Sequence, residues 1–422
     1  MKYQKHTLKN GLRIVLSPML DTETATVIVM AGTGSRYESE KENGLAHFLE
    51  HMFFKGTKKR PNTLDISREL DAVGAEYNAY TSKDHTAYYA KVDARHLDIA
   101  LDVVSDLFLN AKLEREEIER ERGTILQEIN MYEDMPQRRV GEHFETLLYG
   151  KHALGRDIAG PKKNIQSFKR EDFVRYLRRG YTADNVVVGV AGKIHPSEVK
   201  KMIEKHFARM RTGKRPSFEK IKEQQGKPGI FLRHKKTDQT HIVLGARGYD
   251  MFHQDRFALA VLATILGGGM SSRLFTEVRE RRGLAYSVHT SVDTYHDAGY
   301  LATQCGVEHK NLEKTIAVIL SEYKKTTAEL VESEELKKAK EYIKGHFALG
   351  MEGSDDIAGY LVTQEVLRHK ITLPQEYRQM IDRVTAQDVL RVAQDIFINK
   401  KLNMAIIGPH ANGKQLVKSL SL

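Results

Sequence analysis

Halfway along this 422-residue chain, the run RMRTGKRPSFEKIKEQQGKPG at residues 209–229 interrupts an otherwise regular alternation of apolar strands and amphipathic helices. It carries Gly213, Pro216, Gly226 and Pro228 and has neither a strand nor a helix period, which marks a connection between domains. The chain therefore reads as an N-terminal domain at residues 1–212, a linker at 213–228 and a C-terminal domain at 229–422.

Before the break, residues 5–9 and 12–16 read as a hairpin around Asn10-Gly11, whose residue types supply the positive φ angles of a tight turn. A strand is expected at 24–30, helices at 42–54 and 64–73, and strands at 76–81 and 86–92. Long helices follow at 95–109 and 114–132, then a helix near Arg170, a strand at 185–191 and a helix at 196–208. After the break the order begins again. The segment EDFVRYLRRGYTADNVVVGVAG, residues 171–192, lies without gaps on QDVLRVAQDIFINKKLNMAIIG, residues 387–408, sharing helix, turn, apolar strand and terminal Gly. Interleaved strands and helices, with some strands joined by tight turns, predict an α+β protein. It would have two homologous α/β domains, each a mixed, largely antiparallel sheet flanked by helices.

Several function classes fall away on composition. Cys305 is the only cysteine, so the chain has no intrachain disulfide and no cysteine-cluster metal site, consistent with a reducing compartment. The basic N-terminus lacks an unbroken apolar core or a cleavage site, and no stretch approaches the roughly 18 apolar residues of a spanning helix. A cytoplasmic protein that does not enter a membrane is expected. The net charge of +10 comes from 66 basic and 56 acidic residues interspersed along the chain, without a basic arm, so no nucleic-acid partner is expected. Gly267-Gly268-Gly269 lacks the frame of a phosphate-binding loop and reads as a flexible connection between helices.

The sharpest chemical signal is His47-Phe48-Leu49-Glu50-His51, inside the helix expected at 42–54. At about 100° per residue, His47 and His51 stand one above the other, the i, i+4 geometry with which two imidazoles reach one metal ion. Glu50 shares their rim and is placed to take a proton from a water activated by the metal, without being a ligand. A catalytic zinc needs a third protein ligand from elsewhere. The helix EREEIERERGTILQEINMYED offers Glu117, Glu121 and Glu128 along one face, although for any single Glu the spacing alone is better described by a solvated face of i, i+4 pairs to Arg.

HFLEH, followed by Glu128 in ERERGTILQEI, resembles the inverted zinc motif of the pitrilysin/insulinase metallopeptidases. NGLRIVL, GTGSRYESEKENGLAHFLEHMFFKGT, NAYTSKDHTAYY and GGGMSSRLFTEVRERRGLAYSV extend the likeness over nearly the whole chain. It is nearest to the short bacterial members and to the subunits of the mitochondrial processing peptidase.

The resemblance implies one Zn²⁺ per chain held by His47, His51 and Glu128, with Glu50 as general base and Glu121 as the acid that supports a zinc-ligating imidazole. It assigns to Arg279 and Tyr286, in VRERRGLAY, the stabilisation of the tetrahedral oxyanion or the holding of the substrate carbonyl. It makes residues 76–81 a sheet edge onto which substrate adds as a strand, with Asn78 and Ala79 giving main-chain contacts. Unfolded peptides or precursor segments are the implied substrates. A homodimer enclosing a chamber is the implied assembly, each site combining one chain's zinc with the other's Arg279 and Tyr286. One departure concerns the acids that read a substrate arginine in the mitochondrial enzyme. Arg138 falls at one of those positions and Glu142 at the other, so presequence-like arginine selectivity is not expected to carry over. The alternatives are a processing peptidase acting at one site in one kind of precursor, and a non-catalytic scaffold subunit.

Overall fold

The computed structural model describes residues 1–411, 416 and 420–422. Two compact units emerge, one comprising Met1–Ile129, Asp157–Glu219 and Leu349–Pro374, the other Asn130–Arg156, Lys220–Ala348 and Gln375–Leu422.

In the first unit, strands β1 (Gln4–Thr7), β2 (Arg13–Pro18), β3 (Thr24–Ala31), β4 (Glu76–Thr81), β5 (Thr86–Asp93) and β6 (Val186–Gly192) form one sheet in the order β1-β2-β6-β3-β5-β4. Only β2 and β6 run parallel. Alternate residues serve two cores. Val27, Val29, Val188 and Val190 face the helices Leu45–Phe53, Leu97–Asn110 and Pro196–Phe207, while Ile28, Met30, Val187 and Ala191 face the helix Ser354–Arg368. Burial on both faces explains why β6 reads VVVGVAG with no polar alternation. The helix Ser354–Arg368 is tied to the sheet by Glu365, whose carboxylate meets Arg13 at 2.9 Å and Lys5 at 2.8 Å.

The second unit repeats the plan. Strands β7 (Gly229–His234), β8 (Thr240–Arg247), β9 (Ala285–Thr294), β10 (Gly299–Val307) and β11 (Leu402–Gly408) take the order β7-β11-β8-β10-β9, with β7 and β11 parallel and the other pairs antiparallel. Strand for strand this is β2-β6-β3-β5-β4. The gapless match of the two segments holds in three dimensions: Arg170–Gly180, Ala183–Asn185 and Val186–Gly192 correspond to Ala386–Ile396, Asn399–Lys401 and Leu402–Gly408. One face of the sheet packs on the helices Arg256–Gly267, Leu312–Ala328 and Ala386–Ile396. The other packs on the helix Pro136–Tyr149 through Val140, Phe144 and Leu148. Each sheet thus has its second face covered by a helix drawn from the opposite half of the sequence.

Two local expectations need correcting. The turn after β1 spans residues 8–12, and only Gly11, at φ 90°, has a positive φ. Asn10 instead accepts a hydrogen bond from the Leu12 amide and donates to the Phe207 carbonyl, so its side chain anchors a wider loop. Gly267 closes its helix against β9, where an added Cβ would lie 2.3 Å from Thr290 Oγ1; it serves close packing and is not a flexible joint.

Candidate metal centre

The helix bearing HFLEH is Leu45–Phe53, shorter than the expected 42–54 because Glu40–Glu42 forms a separate 3₁₀ turn and Gly44 takes a left-handed φ of 101°. Gly44 supplies no side-chain cap. Glu38 takes that role from six residues upstream, one carboxylate oxygen accepting from the Ala46 amide at 2.6 Å and the other from the Gly44 amide at 3.0 Å. Leu45, Phe48, Leu49 and Met52 bury the inner face of the helix, which turns His47, Glu50 and His51 to the opposite side.

Against this face lies the helix Arg115–Glu133, anchored by Ile118, Ile125 and Ile129. The Glu128 Oε2 atom lies 3.5 Å from His47 Nε2 and 3.4 Å from His51 Nε2. One ligand atom from each of the three residues falls within 4.8 Å of the others, the one such cluster of His, Cys, Asp or Glu among the described residues. A tetrahedral zinc with bonds of about 2.0–2.1 Å requires ligand atoms separated by roughly 3.4 Å, so the donor set fits the ion in chemistry and spacing. Glu117 shares the helix face of Glu121 and Glu128 but pairs with Arg120 and is not part of the cluster.

Glu121 Oε1 accepts a hydrogen bond from His51 Nδ1 at 2.8 Å, which leaves Nε2 as the nitrogen turned to Glu128 and able to meet a metal. Its other oxygen meets Lys55 Nζ at 2.6 Å. Burial opposes charge on Glu121, but these two partners outweigh it and hold the carboxyl below its ordinary range. Burial likewise disfavours a charged His51, and the hydrogen bonds and charges of Glu121 and Glu128 more than compensate, pushing it up to about 9. The site is thus electron-rich and attracts cations.

Glu50 is not in the ligand cluster. Its Oε2 accepts a hydrogen bond of 2.6 Å from the hydroxyl of Thr81, the last residue of β4. That strand forms the edge of its sheet, pairing with β5 on one side only among the described residues. Asn78 Oδ1 accepts from the Ala79 amide at 2.8 Å, so one outward donor of this edge is covered by its neighbour's side chain.

In the second unit, Arg279 belongs to the π-helical segment Phe275–Glu280 and Tyr286 to the start of β9. The guanidinium carbon lies 4.7 Å from the centre of the Tyr286 ring and 4.8 Å from that of Phe275. Tyr286 is 80% exposed, with the Arg279 guanidinium over its ring. Arg138 and Glu142 face each other at 3.4 Å one helical turn apart, so the remaining acid of that pair is itself engaged by a cation.

Three contributors escaped sequence reasoning. Lys55 was open to discovery, because it stands only four residues after His51, just past the end of the motif helix. Thr81 and Glu38 act across folds of the chain, and no periodicity announces them.

Residues 13–162 match the sequence profile of the insulinase peptidases, Peptidase family M16, and residues 167–343 match that of the Peptidase M16 inactive domain. A relative in Mycobacterium leprae, described as an uncharacterized zinc protease, is 35% identical over 99% of this chain and 94% of its own length. Another with the same description in Bacillus subtilis is 35% identical over 97% of this chain and 99% of its own. Among solved structures, a protease from Helicobacter pylori superposes with a TM-score of 0.90 at 26% identity, covering 97% of this chain and 99% of that one. With two His and one Glu converging on a single point, and with likeness running from end to end, the chain belongs to the insulinase family of peptidases, family M16.

Proposed function

We propose that this protein is a zinc-dependent endopeptidase that hydrolyses unfolded peptides or precursor segments, in the cytoplasm, as a homodimer enclosing a chamber. The observation that carries the reading is the convergence of His47, His51 and Glu128, with Glu50 on the same helix rim but outside the ligand set.

His47, His51 and Glu128 would hold one zinc per chain, and Glu121 would fix the orientation of His51. Zinc, when bound, supplies Lewis acidity that polarises a peptide carbonyl and acidifies water. Glu50 takes the proton of the attacking water and returns it to the departing amine, so a single carboxylate serves as base and then as acid. Asn78 and Ala79 on the open edge of β4 hold the substrate backbone as an added strand, which favours extended peptides over folded proteins and tolerates many sequences. Arg279 and Tyr286 act on the developing oxyanion or the substrate carbonyl, which gives a purpose to the exposed phenol. In the dimer they would serve the partner's zinc.

The test is mass-spectrometric mapping of cuts in a mixture of unstructured peptides, with wild type and Glu50→Gln in parallel. The zinc-loaded wild type should make many cuts and the variant none, with equal zinc in both. One cut in a single long precursor with none in the mixture would point to a dedicated processing peptidase. No cuts in either by zinc-loaded protein would point to a scaffold.

A further inference from the structure

Glu50 must present a free carboxylate oxygen at a defined place if it is to move a proton, and a glutamate has three side-chain torsions to lose before it does so. The motif helix does not hold it. The group that does is the Thr81 hydroxyl, 2.6 Å from Oε2, donated from the end of a strand rather than from the helix. Proton bookkeeping fixes the direction of this bond. A carboxylate only accepts, so Thr81 must donate, and its single proton is then committed. The neighbouring hydroxyl, Thr86 Oγ1, stands farther off at 3.5 Å and donates its own proton to the Thr33 carbonyl at 3.0 Å. It does not compete for Glu50. Thr81 and Thr86 face each other in the β4–β5 ladder, so the donor is seated on paired backbone.

Among the described residues Glu50 Oε1 has no side-chain hydrogen-bond partner, and that is the oxygen left to exchange a proton. The strand that ends on Thr81 is the same open edge that carries Asn78 and Ala79. Peptide seated along this strand would stiffen the residue that sets the base.

Resting on the peptidase reading above, we propose that Thr81 is the positioning residue for Glu50, linking the peptide-receiving strand to the general base through one hydroxyl proton. The role belongs to the hydroxyl and not to the bulk of the side chain.

The experiment compares steady-state cleavage of an unstructured peptide by zinc-loaded wild type, Thr81→Val, Thr81→Ser and Glu50→Gln, with zinc content and thermal unfolding measured on each. Valine keeps the volume and strand preference of threonine and removes only the donor; serine keeps the donor. We expect kcat of Thr81→Val to fall about 10- to 100-fold with KM within about twofold of wild type, the signature of a group that acts on the chemical step. Thr81→Ser should return kcat to within about threefold, with zinc content and melting temperature level across the set. Thr81→Val with wild-type kcat, or Thr81→Ser as impaired as Thr81→Val, would overturn the assignment while leaving the peptidase reading intact. An inactive wild type, or an active Glu50→Gln, would instead remove the peptidase reading, and the role of Thr81 with it.

Discussion

His51 donates its Nδ1 proton to Glu121 across 2.8 Å, and Glu121 stands seven residues before Glu128 on the same helix, so one helix face supplies both the carboxylate of the His47, His51 and Glu128 cluster and the group that aims an imidazole. Replacing Glu121 by Ala leaves His47, His51 and Glu128 in place but frees the His51 ring and deprives Lys55 of its partner. Zinc affinity should fall about 10- to 100-fold, the usual cost of losing such a partner. Competition against a chromophoric chelator reads this directly, and unchanged affinity would refute the orienting role.

Glu38 is the cap of the zinc-motif helix, although it lies outside the motif and outside the helix. Glu38→Ala leaves the Ala46 and Gly44 amides without acceptors in a buried place, at a cost of about 1–3 kcal/mol. Urea denaturation should register that loss as a lower midpoint. A midpoint equal to wild type would mean that water or a neighbouring group satisfies these amides.

Burial depresses His85 from its ordinary value near 6.5 to about 4, and this residue closes the turn between Thr81 and Thr86 through its contact with Ser82. In the unfolded chain His85 takes up a proton near pH 6.5, whereas the native protein resists until about pH 4. The unfolded state thus binds more protons in that window. The associated stability is complete above pH 6.5 and is lost as pH falls toward 4, by up to about 3 kcal/mol. Comparing urea unfolding of wild type and His85→Gln at pH 7 and pH 4.5 isolates this contribution, since other titrating groups are common to both. Wild type should lose more stability on acidification than the variant; equal losses would contradict the burial argument.

If each site of a dimer joins one chain's zinc to the other chain's Arg279, two inactive variants should rescue each other. Glu50→Gln and Arg279→Ala, unfolded together and reassembled, would give mixed dimers with one intact site, and random pairing restores about a quarter of wild-type activity. Sites completed within a chain would show no recovery. Each variant alone should retain its zinc.

Much of this architecture was legible in the sequence because the two sheets are buried on both faces, so that strands such as residues 186–192 stand out as apolar runs bounded by turn residues. The repeat was legible for the same reason: helix, turn and apolar strand recur in the same order at residues 171–192 and 387–408. What could not be read was the helix exchange. The helices Pro136–Tyr149 and Ser354–Arg368 look like any amphipathic helix in the chain, and nothing in their periodicity tells which sheet they cover. At the site, spacing alone brought His47, Glu50 and His51 together, since all three lie within one helix. Spacing could not choose among Glu117, Glu121 and Glu128, because all three share one face and the choice depends on where along its length that helix meets the helix Leu45–Phe53. Thr81 was legible as the end of an edge strand but not as a partner of Glu50, since a hydrogen bond across 31 positions leaves no local pattern.

The most direct test of the central claim is a zinc titration of chelator-stripped protein, followed simultaneously by bound metal and by cleavage of an unstructured peptide. Cleavage should rise with zinc to a break at one equivalent per chain, and Glu50→Gln should bind the same equivalent without cleaving. Cleavage indifferent to zinc, or a His47→Ala, His51→Ala double variant that still binds and cleaves as wild type does, would contradict that claim.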